Sequence, residues 1–115
     1  MEDDRLLQAL SHANYMATIV QQRENLKLRF ANATLHAHNG GTFTVSPSLL
    51  AMVDLLLRQG QGEAVLLDDK GVPVRVADLT SFFEDILGVY AEASNEYLVG
   101  WEQLRKARSV EAATI

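Results

Sequence analysis

The sequence predicts an α+β fold in the order α-ββ-α-ββ-α, with two β-hairpins, a buried central helix and two long terminal helices. Three observations carry this expectation. Residues 3–28 and 78–108 space apolar side chains three and four apart, as a helix face requires. Two short alternating stretches each fold back on a turn signal, Asn39-Gly40-Gly41 and Asp69-Lys70-Gly71. Between the hairpins runs an apolar block opened by Ser46-Pro47 and closed by Gly60. A chain of 115 residues reads as one α+β domain over 1–108 with a short tail over 109–115.

The first helix places Leu6, Leu10, Ala13, Ala17 and Val20 in one stripe, widened by Leu7, Met16, Ile19 and Leu26. Glu2, Asp3 and Asp4 suit its N-terminal dipole. Around Asn39-Gly40, Ala33, Leu35, Ala37, Phe43 and Val45 share one parity, and Thr34, His36, His38, Thr42 and Thr44 the other. The expectation is a hairpin with an apolar face and a polar face carrying both histidines.

Ser46 can cap the middle helix, and Pro47 suits its first position, where a missing N–H costs nothing. Seven apolar side chains from Leu49 to Leu57 leave only a narrow polar strip, which predicts burial around most of the circumference. Glu63–Asp68 and Val72–Val76 form the second hairpin, with Pro73 placing its strand at an edge or itself at a non-pairing position. Asp78 can cap the last helix, which runs to about Arg108.

That helix holds a near-heptad seam. Leu79, Ile86, Ala93 and Gly100 occupy one position, and Phe83, Tyr90, Tyr97 and Leu104 another, with Leu87 and Trp101 alongside. Such a seam is a pairing face. A glycine within a helix costs about 1 kcal/mol relative to alanine, so Gly100 implies close approach of another chain segment. Phe83, Tyr90, Ala93, Tyr97, Gly100, Trp101 and Leu104 are therefore the candidate interface. A helix of about 45 Å overhangs a body whose radius of gyration is about 13–14 Å. It pairs with the other long helix, with another chain, or with both.

Composition narrows function further. Net charge is −5, and six acids fall between Asp78 and Glu102 with no Lys or Arg among them. That stretch repels phosphate, so no nucleic-acid partner is expected. The bases Arg23, Lys27 and Arg29, and Arg105, Lys106 and Arg108, read as solvated helix ends. No apolar run approaches the roughly 18–20 residues of a membrane span. The acidic start, Met1-Glu2-Asp3-Asp4, is not that of a secretory signal. With no cysteine, thiolate chemistry and disulfides are excluded.

The chemical constellations are thin. His36 and His38, two apart on a strand, share a face and could chelate a divalent metal, with His12 a remote third; surface histidines are the simpler reading. Asp68 and Asp69 could serve Mg²⁺ or acid–base chemistry, but a hairpin turn wants aspartate there for its own backbone. Gly40-Gly41 and Gly60-Gln61-Gly62 lack the lysine and hydroxyl of a phosphate loop. Asn32-Ala33-Thr34 is a glycosylation sequon by chance.

The sequence therefore predicts a non-enzymatic protein–protein interaction or assembly protein that self-associates or docks through its long helices, as a homo-oligomer or in a larger assembly. No cofactor is expected. The expected setting is the cytoplasm, or a virion for a phage protein. The alternative is a small-molecule or metal-binding domain using the His36/His38 face.

Overall fold

The computed structural model of the chain describes residues 2–114, with side chains over 3–107. Its order is α1 (Glu2–Ala33), β1 (Leu35–His38), β2 (Gly41–Thr44), α2 (Pro47–Arg58), β3 (Ala64–Leu67), β4 (Pro73–Val76) and α3 (Leu79–Thr114). The α+β class, the order and the long terminal helices are those expected. β1 pairs with β2 and β3 with β4, both antiparallel, as separate two-stranded sheets. No helix among the described residues is long and apolar enough to cross a membrane.

Local chemistry explains the boundaries. With no Gly or Pro to stop it, α1 continues past residue 28 to Ala33. There the Thr34 hydroxyl donates to the Ala31 carbonyl at 2.9 Å and its N–H donates to Phe30 at 3.1 Å. Asn39 and Gly40 have φ of 47° and 83°, the two positive values that a tight two-residue hairpin turn demands. Ser46 caps α2, its Oγ accepting the Leu49 N–H at 3.2 Å. Gly60 (φ 83°) ends it, with Gly60 N–H bonded to Leu57 and Gln61 N–H to Leu56. This paired closure is the left-handed glycine stop of many helices. The Asp78 carboxylate accepts the Ser81 N–H at 3.0 Å and caps α3. α3 then runs through Thr114, past the end expected near Arg108; side chains of the proposed 109–115 tail lie outside the described residues.

The chain divides into two compact units. One spans Phe30–Glu96; the other joins the segment up to Arg29 with the segment from Tyr97. The first has a continuous core of Phe43, Val45, Val53, Leu66, Val74, Val76, Leu79, Phe82 and Ile86. Phe43 and Phe82 meet edge to face with ring centroids 5.4 Å apart. Gly41 lies against this core, and a Cβ there would stand 2.5 Å from the Val74 side chain and force it to shift.

Two expectations about this unit are corrected. The first hairpin's register pairs His36 with Phe43 and Leu35 with Thr44. His36 and His38 are half-buried on the Phe43 side, while Leu35 is 47% exposed. The histidines thus point toward the core, not onto a polar face. A two-residue turn pairs residues of opposite parity, so odd-numbered Phe43 shares its face with even-numbered His36. The middle helix is buried along one face only. Val53 is fully buried and Leu49, Leu50, Leu56 and Leu57 pack partly against the core, but Met52 and Leu55 are 54% and 58% exposed.

Candidate functional site

In the helical unit, α1 and α3 run antiparallel. Leu26 abuts Gly100, the Arg23 guanidinium lies over the Trp101 ring 6.0 Å from its centroid, and the Tyr15 hydroxyl stands 3.5 Å from the Ala107 carbonyl. Gly100 is therefore explained within the chain: a Cβ there would collide with the Leu26 side chain. Beside it lies an open groove of about 500 Å³ edged by Gln22, Asn25, Arg29 and Gln103. All four of these polar side chains are exposed, so the groove lacks the buried polar anchors of a ligand site.

The seven candidate interface residues divide by environment. Phe83 and Tyr90 pack against the core of the Phe30–Glu96 unit, and Tyr90 meets Phe30 edge to face at 6.2 Å. Ala93 is 1% exposed and Gly100 is buried. Tyr97 and Leu104 are half-buried. Trp101, 43% exposed, alone keeps a large open surface. The seam on α3 is real, but most of it is turned to the protein's own interior. Phe82, fully buried, is the core residue that the heptad reading passed over.

α1 has two apolar faces. Ile19 and Leu26 are 5% and 3% exposed and belong to the face toward α3. The stripe Leu6, Leu10, Ala13, Ala17 and Val20 lies opposite and is exposed throughout. A helix apolar on opposite sides is normally covered on both.

The histidine pair stacks, with ring centroids 6.3 Å apart, and both rings sit edge-on to Phe82 at 5.8 and 5.0 Å. His36 Nε2 is buried without a hydrogen-bond partner. Among the described residues, no three His, Asp or Glu side chains gather where they could hold a metal ion.

The acidic pair serves its turn and more. Asp68 Oδ1 accepts the N–H groups of Lys70 and Val72 at 2.9 and 2.8 Å, and Oδ2 that of Thr42 at 3.3 Å. Asp69 Oδ1 accepts the Thr44 N–H at 2.9 Å and Oδ2 the Thr44 hydroxyl at 2.6 Å. The Val72 N–H does most to hold the Asp68 carboxyl below its usual value; Thr42 and Lys70 add to this against an opposing desolvation. Three of the four oxygens join the two hairpins, and the fourth, Asp68 Oδ1, closes its own turn.

No protein-family model matches this chain, and no curated protein or solved structure is detectably similar to it.

Proposed function

We propose that this protein is a non-enzymatic interaction or assembly component that works by associating through its long helices. One observation carries the reading. The helical unit buries Ile19 and Leu26, yet leaves Leu6, Leu10, Val20, Leu98, Val99 and Trp101 each more than two-fifths exposed. Of these, Leu6, Leu10 and Val20 lie along one exposed face of α1, and a row of exposed apolar side chains marks a protein or membrane contact. No helix among the described residues has the character to span a bilayer, and a protein partner is the reading we favour. The acids Asp78, Glu84, Asp85, Glu92, Glu96 and Glu102 are all exposed, which supports a partner other than nucleic acid. The setting we propose is the cytoplasm, or a virion for a phage protein.

Light scattering coupled to size exclusion tests this reading. The expected result is a mass above that of the 12.7 kDa chain, falling on dilution. A monomer at high micromolar concentration that also retains no protein partner in a pull-down would overturn it.

A further inference from the structure

We propose that the outer face of α1 pairs antiparallel with the same face of a second copy, in a single register. This deepens the assembly reading and rests on it.

The face follows a strict alternation of three and four residues: Asp3, Leu6, Leu10, Ala13, Ala17, Val20, Glu24 and Lys27. All eight are exposed. This is the seam spacing of a two-stranded coiled coil, and it spans about 36 Å of helix. The order of residues along it selects the occupant. Turned end for end against itself, with paired positions summing to 30, the seam matches layer by layer. Asp3 faces Lys27, Leu10 faces Val20, and Ala13 faces Ala17. Leu6 lies along the aliphatic stem of Glu24, whose carboxylate already pairs with Lys27 at 3.6 Å.

Charge decides orientation. Antiparallel pairing sets an Asp3–Lys27 pair at each end and opposes the two helix dipoles. Parallel pairing sets Asp3 on Asp3 and Lys27 on Lys27, with dipoles aligned. The small Ala13 and Ala17 at the centre let the backbones approach, and the larger Leu10 and Val20 fill the flanking layers. Each layer recurs on both sides of one two-fold axis, as a symmetric dimer requires.

The absence of cysteine makes the register directly readable. Ala13→Cys and Ala17→Cys chains, purified separately, should cross-link when mixed far faster than either does alone, since a disulfide needs Cα atoms within about 7 Å. Cross-linking of Ala13→Cys with itself at the faster rate would indicate parallel pairing and overturn the proposal. In the full chain, Ala17→Glu should reduce the solution mass from twice 12.7 kDa to once, with helical circular dichroism unchanged. Lys27→Asp should weaken the dimer at least severalfold, and Asp3→Lys added to it should restore it. A chain that stays oligomeric with Ala17→Glu overturns this pairing and leaves the assembly reading intact. A wild-type chain that is monomeric at high micromolar concentration overturns the pairing as well.

Discussion

Asp69 holds Thr44 with both carboxylate oxygens, accepting the backbone N–H at 2.9 Å through one and the hydroxyl at 2.6 Å through the other. The Asp69 N–H also donates to the Thr42 carbonyl at 2.9 Å, so one turn residue grips two residues of β2. Asp69→Ala should lower stability by about 1 kcal/mol, the net worth of such hydrogen bonds at a surface. Urea unfolding reads this, and Thr44→Val in the Asp69→Ala background should cost less than in the wild type. Equal costs in the two backgrounds would mean that the hydroxyl contact contributes nothing.

Asp68 predicts an acid limb. Its folded value is depressed from the ordinary 3.8. Folding therefore favours the ionised form, and the stabilisation is complete above the unfolded value. It disappears as pH falls through the lower folded value. Asp68→Asn should flatten stability against pH in that window. Carboxyl carbon shifts followed by NMR give the direct check, and an Asp68 that titrates at or above 3.8 sinks the prediction.

The orphaned Nε2 of His36 predicts a stabilising substitution. A buried polar atom without a partner costs about 1–3 kcal/mol. Phenylalanine keeps a ring against Phe82 and removes that atom. His36→Phe should raise the melting temperature, by several degrees for a gain of about 1 kcal/mol in a chain of this size. A lowered melting temperature would show that the imidazole has a role that packing does not reveal.

Gly100 predicts a loss that does not depend on concentration. Leucine there gains about 1 kcal/mol of helix propensity but forces bulk against Leu26, and overpacking costs about 1–3 kcal/mol. Gly100→Leu should be destabilising by thermal denaturation, equally at low and high protein concentration. Leu26→Ala should recover part of the loss. A deficit that grows on dilution would place the contact between chains instead.

Element order was legible because its punctuation is local. Asn39-Gly40, Ser46-Pro47, Gly60 and Asp78 each act within a few residues, and each marks a boundary in the structure. The faces were less legible. The side of β1 that is buried followed from the loop length, two residues, and not from the apolar count, which favoured Leu35. Burial of α2 was overstated because leucine number says nothing of which leucines meet the core, and Met52 and Leu55 do not. In α1, residues on opposite sides merged into one wide stripe, hiding the division between Ile19 and Leu26 on one side and Leu10 and Val20 on the other. At the acidic pair, the bonds within the turn were foreseeable. Those to Thr42 and Thr44, some 25 residues away in sequence, were not.

The grip of Asp68 and Asp69 on β2 also bears on edge-to-edge strand addition, the route to amyloid-like growth. A two-stranded sheet has no interior strand, so each strand offers a row of unpaired N–H and C=O groups on which a foreign strand could add. Along β2, the outward N–H groups of Thr42 and Thr44 are already occupied by carboxylate oxygens, and the Thr42 carbonyl by a backbone donor. The acidic turn thus stands where a third strand would lie, without the continuous ladder that would extend to a fourth. Its negative charge also repels a like copy. The same two aspartates that fasten the hairpins together leave that side of β2 with little of its backbone free to template.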